Sequence, residues 1–421
     1  MYRIIATTAL AVVLAAPSVT ATAQTIAPVG PRSASRPGPL PRQLTLNQAL
    51  VEAEARSPTL AAARAEVSAA EGRVRQAGFR TNPEFTVELE NFAGSGVLSG
   101  FQATELTASI SQRIDLAGHR RARVSASEAR LFAAQLQLAI ARANLIRQVR
   151  NRFAEGVAAR DLLAVARDNV GRAQELARVA KELVDAGREP PLRGLRAQAA
   201  LTRTTAVLQS AEANERNARS AIAALLGSKV PPEQLVGDAP VAVPAALDAE
   251  ATLDVALAKA RAAIARADVE QARAEGRVDP SVGVGVRHLR ESGDVGLVAS
   301  VSMPLPIFDR NQGNIAAARS DVAAADARVT AATNAAAATI ADARASLAAA
   351  EARLGALEQS GLAEAREALR LAELSYRAGK ASLVELLDAQ QAYALLQSDL
   401  IAARQARAEA AATLAREAAA Q

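Results

Sequence analysis

Hydrophobic and polar positions change their period several times along this chain. Helical spacing begins near Leu44, with Thr45 at the N-cap position, and Ser57-Pro58 punctuates it before a second helical run to about Gly78. Asn82-Pro83 ends that run. Phe85, Val87 and Leu89 then alternate with Thr86, Glu88 and Glu90. After a Gly/Ser loop over 93–100, Leu106, Ala108 and Ile110 alternate with Glu105, Thr107, Ser109 and Ser111. Period two predicts strands over about 84–92 and 104–113. The pattern returns after Asp279-Pro280. Val282, Val284 and Val286 alternate with Gly283, Gly285 and Arg287; beyond a polar turn at 290–294, Leu297, Ala299 and Val301 alternate with Gly296, Val298, Ser300 and Ser302. Strands are expected over about 281–289 and 295–303. Each has roughly the 9–11 residues of a tilted membrane-spanning strand.

The remaining length reads as long helices. Nothing strongly breaks the helical pattern from Gly118 to Ala186, where Gly156 and Gly171 are the soft points, or from Gly313 to Ala378. At 1.5 Å per residue such a run reaches roughly 100 Å. Shorter partner helices are predicted over about 191–226 and 382–419. The stretch 227–250 is rich in Pro and Val and reads as a linker with a short extended segment.

The chain also states its pattern twice. Leu183–Ala197 (LVDAGREPPLRGLRA) has a counterpart at Ser375–Ala389 (SYRAGKASLVELLDA), and AEGRV occurs at Ala70–Val74 and at Ala274–Val278. Thr45-Leu46 with Ala49-Leu50 recurs as Thr252-Leu253 with Ala256-Leu257. TASISQRIDLAG (Thr107–Gly118) resembles VASVSMPLPIFDRNQG (Val298–Gly313). The expected organisation is a first repeat over 44–227, a linking segment over 228–250 and a second repeat over 251–421. Each repeat is too open to bury its own apolar face.

Composition narrows the architecture. Aromatics make up 2% of the 421 residues, and Trp and Cys are absent. Ala, Arg, Glu, Gln and Leu favour long, closely packed helices over a thick core. The net charge is +5, but the arginines are interleaved with Glu and Asp and lack stacking aromatics, so nucleic acid is not an expected partner. Arg3, the apolar run Ile4–Ala16 and Ala21-Thr22-Ala23 read as a secretory signal peptide over 1–23, cut before Gln24. The Pro/Ser/Arg-rich stretch 24–43 is expected to be disordered. Without Cys there is neither a disulfide nor a thiol for lipid attachment at the mature N-terminus. A membrane role then has to use strands. A lone hairpin is marginal, and four strands cannot close a barrel, for which about eight is the useful minimum. Three chains would supply twelve.

No catalytic constellation is present: no Cys nucleophile, no P-loop and no GxSxG elbow. His119 and His288 show no metal-ligand spacing and read as lone surface histidines. No enzyme, cofactor or metal site is expected. Glu84, Glu88, Glu90 and Glu105 would make a barrel lumen acidic, provided the apolar set faces lipid.

Met303–Ala317 (MPLPIFDRNQGNIAA), placed after the last strand of a duplicated strand–strand–long-helix plan, resembles the TolC family of outer-membrane factors and within it the heavy-metal, CzcC-like branch. The resemblance covers residues 44–421. It implies a mainly α protein with a membrane β-barrel: a homotrimer with four strands per protomer in one twelve-stranded barrel, and long antiparallel helical hairpins forming an α-barrel tunnel in the periplasm. It implies an exit duct of a tripartite RND-type efflux system in a Gram-negative outer membrane. Its partners would be a periplasmic adaptor (membrane fusion protein), an inner-membrane RND pump and outer-membrane lipid, and its cargo heavy-metal cations. The same duct serving multidrug efflux or type I secretion is the near alternative; a soluble periplasmic helical adaptor or scaffold is the distant one. By the same resemblance Gly187, Arg188, Gly379 and Lys380 occupy adaptor-facing turns, and Glu385, Asp388 and Tyr376 belong to the periplasmic gate. The repeat register sets Arg193 and Arg196 opposite Glu385 and Asp388, an arrangement for charge exchange at the closed tip.

Overall fold

The computed structural model describes residues 39–239, 241–243 and 246–420. The leader read over 1–23 and the stretch 24–38 lie outside the described residues. From Leu40 onward the chain is one structural unit.

Its first elements are set by local chemistry. Strand β1 (Gln43–Leu44) leads into helix α1 (Leu46–Arg56), which opens with a capping box. The Thr45 hydroxyl accepts from the Gln48 N–H at 3.3 Å, and the Gln48 side chain accepts from the Thr45 N–H at 3.0 Å. Ser57 closes α1 and caps α2 (Pro58–Gly78), whose first residue is a proline that needs no N–H partner. Strands β2 (Glu84–Glu90) and β3 (Glu105–Arg113) come next, then α3 (His119–Asp185) and α4 (Pro191–Leu225). The second half runs β4 (Gln234–Leu235), α5 (Leu253–Glu275), β5 (Ser281–Leu289), β6 (Val295–Ser302), α6 (Gln312–Ala356), α7 (Leu362–Arg377) and α8 (Leu383–Glu417).

The 67 residues of α3 form the spine. Leu163, Ala166, Val170, Ala173, Leu176 and Ala180 are buried at steps of three and four, a coiled-coil seam in which every second position is alanine. Small seam residues allow close helix approach, and α4, α8, α5 and α2 all pack on α3. One core joins Leu44, Leu60, Val149, Phe153, Ile222 and Leu226; a second, toward the far end of α3, joins Leu176, Tyr376, Leu383, Leu386 and Tyr393.

Two readings need correction. The stretch 24–43 is not irregular to its end, because Gln43 belongs to β1, which pairs parallel through Gln43↔Gln234 and Leu44↔Leu235 with β4, the short extended segment within 228–250. Leu40, Leu44 and Leu235 are buried in the same core as Phe153, the one aromatic side chain of that core. Gly156 of α3 lies directly under Leu235, where a Cβ would collide with its side chain. The run 313–378 is not one α-helix either. A π turn over Leu357–Gly361 separates α6 from α7, with the Leu362 N–H reaching back five residues to the Leu357 carbonyl. Gly355 and Gly361 weaken the α-helix at that point.

The four remaining strands make one antiparallel sheet in the order β2-β3-β5-β6. The middle pairing, β3 with β5, joins the hairpins of the two repeats, with Ala108 opposite Val286.

Phe153 is fully buried and carries the first core. Phe153→Ala is expected to cost about 3–5 kcal/mol, measured as a fall in the urea midpoint of the purified protein.

Candidate functional site

The sheet has two faces of opposite character, fixed by register. On one, Phe85, Val87 and Leu89 of β2 stand beside Leu106, Ala108 and Ile110 of β3, Val282, Val284 and Val286 of β5, and Leu297 and Val301 of β6. Nothing in the described chain covers it: Phe85 is 67% exposed and Leu297 91%. His288 shares this face, opposite Leu106 and Val295. The opposite face carries Glu84, Glu88 and Glu90, then Glu105, Thr107, Ser109, Ser111 and Arg113, then Gly283, Gly285 and Arg287.

The polar face is also the crowded one. A Cβ on Gly283 would lie 2.5 Å from the Ser300 hydroxyl, and one on Gly285 would lie 2.7 Å from the Ala108 carbonyl. Only glycine fits there. Arg287 spans the face: it lies 2.9 Å from Glu105 and 3.3 Å from Glu90, and its Nε donates to the Thr107 hydroxyl at 3.0 Å. Glu90 and Glu105 are therefore tied to a cation. Glu88 has no ion pair among the described residues.

At the end of the sheet nearest the helices, Asp279 locks the corner. Its carboxylate accepts from the N–H groups of Leu116 and Ala117 at 3.0 and 2.9 Å and lies 3.3 Å from the His119 ring. His119 is thus not a lone surface histidine; it ties the first repeat's strand–helix corner to the second repeat. Asp115 caps α3 by accepting from the N–H groups of His119 and Arg120. Among the described residues no cluster of His, Asp and Glu is arranged to hold a metal ion, and no helix is long and apolar enough to cross a membrane.

At the opposite end of α3 the two repeats turn alike. Gly187 (φ 65°) and Gly379 (φ 68°) take the left-handed conformation that favours glycine. The Arg188 N–H reaches the Leu183 carbonyl at 2.9 Å, and the Lys380 N–H reaches the Ser375 carbonyl at 2.8 Å. The helices beyond the two turns begin differently. Pro190 precedes α4 without a side-chain cap, whereas Ser382 and Glu385 form a capping box at the start of α8. The Glu385 carboxylate accepts from the Ser382 N–H at 2.6 Å. That backbone bond, then the Ser382 hydroxyl, holds its pKa below the usual glutamate value. The S-x-x-E spacing is a legible signal for this role, and sequence reading passed over it.

The other gate candidates separate. Tyr376 is buried in the second core, and its hydroxyl has no partner among the described residues. Burial, then the Glu189 carboxylate, raises its pKa, and Arg193 opposes them. Arg193 pairs with Glu189, not with Glu385 or Asp388. Asp388 and Arg196 line one cleft of about 790 Å³ between α4 and α8, floored by α3, together with Arg172 and Arg203. Arg172 lies over the Tyr393 ring, and Arg203 donates to Gln391 at 3.3 Å.

A duplicated chain with a four-stranded sheet bare on its apolar face has a counterpart among known proteins. Residues 49–228 and 243–419 match the family described as outer membrane efflux protein. The chain belongs to that family. Its members are non-enzymatic channels of the outer membrane that work with an adaptor and an inner-membrane pump in tripartite efflux systems. This efflux protein is 29% identical over 377 residues to the cobalt-zinc-cadmium resistance protein CzcC of Cupriavidus metallidurans, covering 88% of this chain and 87% of that one. It is 31% identical over 305 residues to the nickel and cobalt resistance protein CnrC of the same species, covering 70% of each. Its fold matches the crystal structure of CusC, a protein described in terms of transmembrane channel formation, with a TM-score of 0.75 at 20% identity over 88% of this chain and 90% of that one.

Ser382→Ala is expected to remove about 1 kcal/mol from the start of α8, seen as faster amide hydrogen exchange at Glu385–Leu387. With a lowered pKa, the Glu385 half of the box is present at neutral pH and lost as pH falls through that value. The same amides should loosen in acid in the unmodified protein.

Proposed function

We propose that this chain is the exit duct of a tripartite RND-type efflux system that exports heavy-metal cations across the outer membrane. The observation that carries the reading is the uncovered apolar face of the sheet. Eleven apolar side chains turned to water would be an aggregation surface; turned to hydrocarbon they are in their proper solvent. Strands of 7–9 residues are roughly 23–30 Å long at about 3.3 Å per residue; tilted by about 40° they rise roughly 18–23 Å, approaching an apolar band of about 25 Å.

The same sheet supports assembly. Its outer strands, β2 and β6, have unpaired edges and run in opposite directions. β6 of one copy can therefore meet β2 of the next and continue an all-antiparallel ladder. Four strands close nothing; three copies give twelve and leave no edge. Glycine and serine crowding on the polar face supports curvature toward that face, which becomes the lumen. α3, α4, α6, α7 and α8 then form the periplasmic tunnel. Gly187, Arg188, Gly379 and Lys380 lie at its tip, where the adaptor docks, and Asp388 with Arg196 lies at the constriction. Cation cargo is supported by the names of the resistance proteins this chain resembles. It is also supported by the luminal charge, four carboxylates (Glu84, Glu88, Glu90, Glu105) against Arg113 and Arg287.

Disrupting the gene should lower tolerance to cobalt, zinc and cadmium salts and leave drug tolerance unchanged, read as growth inhibition. Recovery of the chain in the soluble periplasmic fraction would sink the duct reading. In planar bilayers, Arg287→Gln frees Glu90 and Glu105 and should raise the cation-to-anion permeability ratio several-fold, most at low salt; an unchanged reversal potential would contradict an acidic lumen.

A further inference from the structure

At the end of the sheet nearest the helices, Arg73, Arg80 and Arg123 line a cleft of about 430 Å³ with Gln76, Thr81 and Phe79. No carboxylate lines it. None of the three guanidiniums makes an ion pair or hydrogen bond among the described residues, whereas Arg130, Arg142 and Arg178, farther along α3, each hold a carboxylate. The geometry points to a binding site for the phosphate of an anionic phospholipid, in the leaflet that faces the helices. The inference rests on the reading that the apolar face meets lipid.

Placement is the first argument. Gln112 continues the apolar face of β3 beyond Ile110, and its amide donates to the Thr81 carbonyl at 2.9 Å. Thr81, a wall of the cleft, therefore sits directly below the lipid-facing surface. Phe79, 63% exposed, stands beside the guanidiniums. A charged fork with an apolar neighbour is what a phosphodiester with acyl chains requires, and arginine binds such a group bidentately.

The second argument is electrostatic and independent. A helix N-terminus favours negative charge, yet α3 has no acidic residue in its first turn and begins with Arg120, Arg121 and Arg123. The carboxylates of Asp115 and Asp279 oppose them at the corner itself, but neither lines the cleft. Arg120 reaches over to the Gly78 carbonyl at 3.4 Å, so the excess positive charge lies against the same cleft. An external anion would relieve it.

The competing occupant is the next copy's corner after β6, Met303–Gln312, which the barrel would bring beside β2. That segment holds one Asp and one Arg, and the Asp309 carboxylate already accepts from the Asn311 N–H at 2.8 Å. A neutral segment does not balance three guanidiniums.

The test uses the full chain, reconstituted with equimolar phosphatidylglycerol and phosphatidylcholine, then stripped with mild detergent and assayed for retained lipid. The unmodified protein should retain phosphatidylglycerol preferentially. Arg73→Gln/Arg80→Gln/Arg123→Gln should lose roughly ten-fold of that preference and remain trimeric, and Arg75→Gln, on α2 but outside the cleft, should keep it. Equal retention by the triple variant overturns the site. Displacement of the lipid by millimolar inorganic phosphate overturns the lipid as its source. Dissociation of the triple variant into monomers overturns the lipid site and assigns the cleft to the neighbouring corner. An unmodified chain that is monomeric and never inserts fails at the barrel reading instead, a result distinct from the other three.

Discussion

A β-sheet must pair its edges and cover its apolar face, and among the described residues of one chain this sheet does neither. β2 and β6 end the ladder with unpaired backbone, and Phe85, Val284 and Leu297 have no side chain above them. Each deficit alone has a soluble remedy, such as a covering helix or a charged edge. Among the described residues no helix crosses the face, and the edge strand β6 carries no charged residue. A closed barrel in lipid answers both deficits at once, because closure removes edges and hydrocarbon solvates the apolar side. The proposed trimer comes from counting strands, and the direction of β2 against β6 makes the count geometrically usable.

The helices obey a different rule. The proposed tunnel wall would have no thick centre to fill, and large buried side chains are scarce, occurring where several elements converge. Phe153 marks one such point, where β1, β4, α1 and α4 meet on α3. Tyr376 and Tyr393 mark the other, near the turns. Between them the α3 seam is carried by Ala166, Ala173 and Ala180, whose small size lets neighbouring helices approach. The π turn over Leu357–Gly361 falls between these anchors, in the second repeat only among the described residues. The repeats are thus alike in their turns, Gly187 and Gly379, and unlike in the helices that lead to them.

Legibility in the sequence divides along the same line. The sheet is readable because one face is mainly apolar and the other mainly polar, so Phe85-Val87-Leu89 and Val282-Val284-Val286 announce period two. Helices of alanine with sparse leucine are readable from the absence of breakers. Whatever depends on a few residues meeting across the fold escapes. The pairing of Gln43–Leu44 with Gln234–Leu235 involves two residues on each side, too short for any periodicity. The Asp279–His119 contact joins residues 160 apart. Glu385 stands out for its charge and its spacing from Asp388, while its nearer partner, Ser382 three residues back, carries the more local signal. Repeat register sets Arg193 opposite the acidic pair, but Glu189, one turn away in its own repeat, reaches it first.

The distribution of charge bears on how a duct for cations avoids becoming a trap. Divalent ions are held by several carboxylates converging without competition. On the polar face Glu90 and Glu105 converge, but Arg287 lies between them, 3.3 and 2.9 Å away, and occupies the position an ion would take. Glu84 and Glu88 stand singly, separated along β2 by Thr86. The result is an acidic surface with no chelating pair left open, which raises local cation concentration without fixing any one ion. At the far end, the cleft holding Asp388 is dominated by Arg172, Arg196 and Arg203, so a cation at the proposed constriction would meet attraction and repulsion at close range. Weak, mixed fields of this kind suit a conduit whose energy and selectivity reside in its inner-membrane partner, because the last step of export is release.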